Sequence, residues 1–278
     1  MNRREKIRDK KRIVVKIGSS SLFYAETNKL NYGKIEKLVR ILTDTANSGK
    51  EVILVSSGAI ATGRSSMGLP PEENSIPVRQ ACAAIGQAQL ITVYQRLFAD
   101  YGRTAAQILL TRYTIHSELT RNNAANTFKE LLKMGVIPVV NENDTVTTEE
   151  IEFGDNDCLS AMVAVLSGAD LLILLSDIDG LYDSDPRKNP DASFIPYVDD
   201  LEAAALMGEG STGSSYGTGG MASKIEAAQI ANGAGIDMVI ANASEPENIS
   251  AVLRGEDVGT LFGASGAGFS FEEFDIRD

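Results

Sequence analysis

Two lysines in this sequence stand where a phosphate could be held. Lys16 is the next-to-last residue of the apolar run RIVVKI (12–17), which is followed at once by Gly18 and the serines Ser19, Ser20 and Ser21. An ammonium at the end of a buried strand is costly unless an anion accompanies it, and a glycine two residues on lets backbone N–H groups come close to that anion. Lys224 ends a second stretch, Gly217-Thr218-Gly219-Gly220-Met221-Ala222-Ser223-Lys224, which runs straight into a helical pattern. Glycines before a helix start let N–H groups converge on an anion, and the helix dipole favours negative charge there. An exposed lysine at a strand end and a flexible linker are the plainer alternatives, but a linker needs neither the lysine nor the amphipathic helix behind it. The chemistry indicated is phosphate binding by two lysines on separate strand–helix units.

Acidic and amide residues accompany them. Asp144 lies in NENDTV (141–146), and Asn156 and Asp157 lie in GDND (154–157) at the start of a helical pattern. Turn and cap duties account for Asp and Asn at such places equally well, so taken singly these residues stay open. DID (177–179) and DSD (183–185) lack the spacing and the twelfth-position glutamate of a calcium-binding EF-hand loop. No GxxxxGK[ST] occurs, and strand one is followed by a single glycine rather than GxGxxG, so neither a P-loop nor a dinucleotide fingerprint is present.

The elements that must position these residues read as alternating strands and helices. RIVVKI (12–17), EVILVS (51–56), AAQILL (105–110), VIPVV (136–140), LLILLS (171–176) and DMVIA (237–241) predict strands, most of them apolar on both faces. Segments 31–48, 75–100, 117–134, 157–168 and 219–233 predict helices. The pattern predicts a three-layer α/β/α sandwich around a mostly parallel sheet. In such sheets ligands bind beyond the carboxyl ends of the strands, where this sequence places Lys16-Ile17-Gly18, Ser56-Ser57-Gly58, Asn141-Glu142-Asn143-Asp144 and Ser176-Asp177. The prolines of 183–197 predict a segment without regular structure, the basic N-terminal dozen a solvated arm, and the stretch after Gly259 a partly ordered tail.

Composition narrows the chemistry further. The chain has 278 residues, which suits one large domain, 1–278, or a bilobal one. A formal net charge of −12 with no basic patch beyond the first dozen residues argues against a nucleic-acid partner. No apolar run is long enough for a membrane helix and the N-terminus lacks a signal peptide's apolar core, so no membrane partner and a cytoplasmic location are expected. A single histidine, His116, excludes HExxH zinc chemistry, and Cys82 and Cys158 fit buried free thiols rather than metal ligands. No dedicated protein metal site is expected.

Read in order, VVKIGSSSL (14–22), VSSGAIATGR (55–64), VNENDTV (140–146), FGDNDCLSA (153–161), LLSDIDGLYDSDPR (174–187) and GTGGMASKIEAA (217–228) resemble the glutamate 5-kinases of the amino acid kinase family. The resemblance covers about 12–262. It implies transfer of the ATP γ-phosphoryl to the side-chain carboxylate of L-glutamate, giving L-glutamyl 5-phosphate, the first step of proline biosynthesis. It assigns ATP to Lys16, Gly18, Ser176, Asp177, Thr218, Gly219, Gly220, Met221, Ala222, Ser223 and Lys224. Glutamate falls to Ser57, Gly58, Asp144 and Asn156; Lys16 and Lys224 stabilise the phosphoryl group in flight, with Asp157 fixing both lysines. Glutamate binding then belongs to about 12–168 and ATP binding to about 169–262. Many members of the family carry an additional C-terminal PUA domain; none is expected here, and the single expected domain is the kinase domain. The resemblance further implies Mg²⁺, held mainly by ATP phosphates, a homodimer or homotetramer, and feedback inhibition by proline.

The chemistry suits the residue inventory. A carboxylate is already ionised at neutral pH, so this nucleophile needs no general base, in keeping with a chain of one histidine. The obstacle is like charge: at about 4 Å two unit charges repel by about 4 kcal/mol at an effective dielectric near 20, which cations and helix N-termini relieve. The acyl phosphate product is labile in water, which makes a reductase that consumes glutamyl phosphate the expected transient partner. The rival readings are a kinase for acetylglutamate, aspartate, carbamate or UMP, a regulator that binds nucleotide or amino acid without catalysis, and a dehydrogenase.

Overall fold

The computed structural model describes residues 3–70, 72–146, 156–184, 186, 188–201, 220–264, 266 and 268–271. Five of the six expected strands begin where the apolar runs begin: β1 (Arg12–Ile17), β2 (Glu51–Ser56), β3 (Ala105–Leu110), β5 (Leu171–Ser176) and β9 (Asp237–Asn242). The sixth, β4 (Ile137–Glu142), extends beyond the apolar run, because Asn141 and Glu142 pair with Leu109 and Leu110 of β3. The polar residues after Val140 are thus partly strand, and the turn begins at Asn143. Four further strands are short: β6 (Leu181–Tyr182), β7 (Phe194–Ile195), β8 (Tyr197–Val198) and β10 (Thr260–Phe262).

The main sheet has the order β3-β4-β2-β1-β5-β9-β10-β8. Its first six strands in that order run parallel, and β10 pairs with β9 antiparallel. Helices cover both faces. On one lie α2 (Tyr32–Asn47), α4 (Ile76–Asp100) and α9 (Asn248–Leu253); on the other lie α6 (Glu118–Lys133), α7 (Asn156–Ser167) and α8 (Met221–Gly233). Two apolar clusters fill the two interlayer spaces, and β1 divides its side chains between them: Ile13, Val15 and Ile17 face α2 and α4, whereas Val14 faces the α7 side. Strand alternation therefore sends Lys16 to the α7 side. This is the three-layer sandwich that the alternation of elements predicts.

Three shorter helices complete the frame: α1 (Ser19–Leu22), α3 (Ala59–Met67) and α5 (Arg112–His116). Helix α3 packs against α4 almost backbone to backbone. A Cβ on Gly86 would lie 1.8 Å from the Ala59 carbonyl oxygen, and one on Gly63 would lie 2.0 Å from that of Cys82. Only glycine permits this approach.

Two sequence expectations need correction. The basic N-terminus is not a solvated arm: residues Arg3–Asp9 form a 3₁₀ helix with Ile7 buried, and the buried Arg4 guanidinium donates to the carbonyls of Pro196, Val258 and Gly259. Its acceptors lie some 190–255 residues away, beyond the reach of local pattern. Segment 183–197 does contain regular structure, because β7 and the start of β8 flank Pro196 and pair with β6 and β10. The stretch after Gly259, expected to be partly ordered, opens with β10, whose three residues are buried within the sheet.

Candidate functional site

The carboxyl ends of β1, β2, β4 and β5 lie side by side, and the residues singled out from sequence gather there. At the centre is Asp157, in the first turn of α7 and only 1% exposed. Lys16 Nζ donates to its Oδ1 at 2.5 Å and Lys224 Nζ donates to its Oδ2 at 3.0 Å. Both lysines are themselves buried, at 4% and 6% exposure. The Ser223 hydroxyl stands 3.2 Å from the same Oδ2. Three elements thus meet at one carboxylate: β1 supplies Lys16, α7 supplies Asp157, and the first turn of α8 supplies Ser223 and Lys224.

Two buried ammoniums converge on one carboxylate in a desolvated setting, an arrangement suited to receiving an anionic ligand. The surroundings leave room for one. A Cβ on Gly18 would stand 3.6 Å from Lys16 Nζ, so the glycine keeps open the space beside that ammonium. Helix α8 begins at Met221 after Gly220, a residue with no side chain to cap the first-turn N–H groups. Such amides, with the helix dipole behind them, form an anion site. Asp157 is the second residue of α7, and its carboxylate meets both lysines.

A second cluster lies beside it, beyond the carboxyl ends of β2 and β4. Asn156 Nδ2 donates to Ser57 Oγ at 2.7 Å and to Asn141 Oδ1 at 2.9 Å. Asn156 is the residue before Asp157, so this cluster and the lysine cluster share one helix start. Ser57 is fixed by the chain itself: its N–H donates to the Ile17 carbonyl at 3.1 Å, and the next residue, Gly58, turns left-handed at φ 104° to start α3. A Cβ on Gly58 would also press to 3.2 Å from the Phe23 ring. Asn141 is 6% exposed, accepts from Asn156 and from the Glu142 N–H, and its Nδ2 has no hydrogen-bond partner among the described residues. Asp144, half-buried, follows two residues after the end of β4.

Ser176 and Asp177 end β5, next to β1 in the sheet. Ser176 is buried, its hydroxyl is 3.2 Å from Asp177 Oδ1, and its carbonyl accepts from the Ala243 N–H at the end of β9. Met221 is half-buried and Ala222 exposed at the start of α8. Thr218 and Gly219, expected to bind nucleotide, lie outside the described residues, as do Gly217 and Asp155. The structure therefore brings together Lys16, Asp157, Ser223 and Lys224 in one cluster and Ser57 and Asn156 in an adjoining one. Sequence reasoning missed Asn141 as a site residue; its only signal is that it opens the run NEND, where Asp144 draws the attention. Cys82 and Cys158 are buried thiols outside any disulfide, as expected.

Comparison with known proteins agrees with this architecture. Residues 11–242 match the Amino acid kinase family. The chain is 53% identical over 259 residues to a glutamate 5-kinase of Carboxydothermus hydrogenoformans, covering 93% of this chain and 69% of the relative. It is 48% identical to a glutamate 5-kinase of Clostridium perfringens, covering 93% of this chain and 97% of the relative. Among solved structures it superposes on UMP kinase from Ureaplasma parvum with a TM-score of 0.64 at 16% identity, covering 91% of this chain and 99% of the other. An isopentenyl phosphate kinase gives 0.60 at 18% identity, covering 90% and 99%. At these identities the structural matches establish the fold alone.

Proposed function

Because the chain belongs to the amino acid kinase family, with glutamate 5-kinases among its relatives at about half identity, we propose how its site carries out ATP-dependent phosphorylation of the glutamate side-chain carboxylate. The observation that carries this reading is the buried Lys16–Asp157–Lys224 bridge adjoining the Ser57–Asn156 pair. The lysine cluster is the phosphoryl end of the site and the Ser57 cluster the acceptor end. They are joined through consecutive residues, so the two substrates meet over the start of α7.

Lys16 and Lys224 face the charge that gathers on the phosphoryl oxygens during transfer, and Asp157 holds both ammoniums so that little reorganisation is needed as that charge develops. Gly18 and the first-turn N–H groups of α8 receive phosphate oxygens, and Ser176 and Asp177 hold the nucleotide beyond β5. Thr218 and Gly219 are assigned to the nucleotide as well. At the acceptor end, Ser57, Gly58, Asn141 and Asn156 bind glutamate by hydrogen bonds, and the Asp144 carboxylate pairs with its α-ammonium. The Nδ2 of Asn141, without a hydrogen-bond partner among the described residues, is a buried donor suited to a carboxylate. The attacking carboxylate is ionised at neutral pH, so no protein group need take a proton from it.

Mg²⁺ fits this site as an ion carried by the nucleotide. Lys16, Lys224 and Ser223 already stand on both oxygens of Asp157, which leaves phosphate oxygens and water as its principal ligands. When bound it neutralises phosphate charge during transfer. A cytoplasmic location, a homo-oligomeric assembly, proline inhibition and a downstream reductase that consumes the acyl phosphate complete the reading. Among the described residues no helix is long and apolar enough to cross a membrane.

The test is incubation with ATP, Mg²⁺ and hydroxylamine together with L-glutamate, acetylglutamate or aspartate, with and without proline. Hydroxamate and ADP formed with glutamate alone support the assignment. Product with another acceptor alone transfers the mechanism to that substrate. Folded protein that yields no product with any acceptor points to a regulator that only binds these ligands.

A further inference from the structure

Beneath the acceptor cluster, α4 reaches both strand ends that border it. Tyr94 OH lies 2.8 Å from Ser56 Oγ, at the last residue of β2, and Gln87 Nε2 donates to the Glu142 carbonyl at 3.0 Å, at the last residue of β4. Residues 87 and 94 are seven apart and so share one helix face. Together with Gln107 and Asn141 they line one small cavity between α4 and the sheet. None of these α4 side chains was singled out by sequence, since an apolar helix face gives no hint that two polar tips on it are aimed at a binding site.

The direction of the proton at Ser56 follows from counting donors. The Ser56 hydroxyl lies 3.0 Å from the Ser57 carbonyl oxygen as a donor, and it has one proton. Tyr94 is 0% exposed, and if Ser56 donated to it instead, the phenolic proton would have no acceptor among the described residues. The satisfied arrangement is Tyr94 O–H to Ser56 Oγ, and Ser56 O–H to the Ser57 carbonyl, a chain in which each bond polarises the next. Burial raises the Tyr94 pKa well above the ordinary phenol value, so the proton stays in place through the working pH range.

We propose that Tyr94 is a positioning residue for the acceptor subsite, acting through Ser56 to fix the Ser57 peptide and hence the Ser57 side chain that meets Asn156. The proposal deepens the glutamate-binding reading of Ser57 and rests on it. Gln87 does the corresponding work on the β4 side, holding the Glu142 carbonyl between Asn141 and Asp144. The ATP end of the site takes no part in this chain of bonds, so acceptor and nucleotide should respond differently to its loss.

The experiment compares Tyr94→Phe, Ser56→Ala, the double variant and Gln87→Met, all in the full chain. Tyr94→Phe keeps the ring and removes one proton donor. The loss of one hydrogen bond's positioning should raise KM for glutamate roughly three- to tenfold, with KM for ATP within twofold. In the Ser56→Ala background the Tyr94→Phe change should add nothing further. Hydrogen exchange over residues 57–62 supplies an arm independent of the acceptor: in Tyr94→Phe it should quicken, while exchange in α8 stays as in the wild type. Faster exchange at 57–62 in a protein that does not phosphorylate glutamate would keep the positioning role and remove the acceptor assignment. Unchanged exchange, or equal shifts in both KM values, would overturn the proposal, and additive effects in the double variant would do the same.

Discussion

Replacing Asp157 with asparagine keeps the side-chain shape and removes the charge that two buried lysines share. In the native protein Lys16 Nζ and Lys224 Nζ stand 2.5 and 3.0 Å from its two oxygens, with all three side chains at most 8% exposed. The ammoniums lie on opposite oxygens, and two unit charges about 6 Å apart at an effective dielectric near 20 repel by about 3 kcal/mol, a repulsion no longer offset once the carboxylate is neutral. Removing one partner of a buried ion pair costs about 3–5 kcal/mol by itself, and the two figures describe the same loss rather than adding. Against a domain stability of about 5–15 kcal/mol this is a large fraction, so Asp157→Asn should unfold at distinctly lower urea. With the ammoniums no longer held, kcat should fall on the order of 10²- to 10³-fold. Nucleotide binding should behave oppositely, because phosphate then meets two ammoniums that no longer share the Asp157 charge. ADP should therefore raise the melting temperature of the variant more than that of the wild type. Urea titration, steady-state kinetics and melting with and without ADP read these effects together. Turnover within threefold of wild type at unchanged stability would remove Asp157 as the organiser of the lysines.

Other perturbations probe separate parts of the reasoning. Lys224→Ala should lower kcat on the order of 10²-fold or more while KM for glutamate changes little, as steady-state assays will show. Asp144→Asn should raise KM for glutamate far more than KM for ATP; an equal effect on both would count against its pairing with the α-ammonium. Gly86→Ala places a Cβ 1.8 Å from the Ala59 carbonyl oxygen and should cost about 1–3 kcal/mol or more in chemical denaturation, with α3 displaced from α4. Asp183 accepts from the Ser193 N–H at 2.9 Å, which with its other hydrogen bonds holds its pKa below the usual carboxylate range. A folded-state pKa below the unfolded value contributes stability above the unfolded pKa that is lost as pH falls through the folded one. Asp183→Asn should therefore flatten the acid limb of a stability–pH profile below about pH 4.

Much of this protein was legible in the linear sequence, for reasons that are local. Strands apolar on both faces, alternating with amphipathic helices, specify a covered parallel sheet, and β1, β2, β3 and β5 lie where those runs lie. Lys16 after an apolar run and Lys224 behind a glycine stretch were conspicuous because burial of an ammonium demands a reason. Gly18 announced itself in the same way, as a residue chosen for what it leaves out. The sequence also placed Ser57, Asp144 and Asn156 at strand ends or a helix start, where ligands bind in such sheets.

Only the tertiary structure decided what these residues touch. Nothing within GDND tells whether Asn156 and Asp157 cap their own helix or reach elsewhere; the packing of α7 beside β1 and α8 turns Asp157 to two lysines 141 and 67 positions away. The extension of β4 through Asn141 depends on its pairing with β3, and the ordering of the N-terminal helix depends on carbonyls near the other end of the chain. The roles of Tyr94 and Gln87 have the same origin, since each is an unremarked polar tip on a buried helix until the sheet brings a strand end to it. Local pattern reports the preferences of a segment for backbone shape and burial. Charge pairing and hydrogen bonding are set by partners distant in sequence, and those exist as neighbours only after the layers have packed.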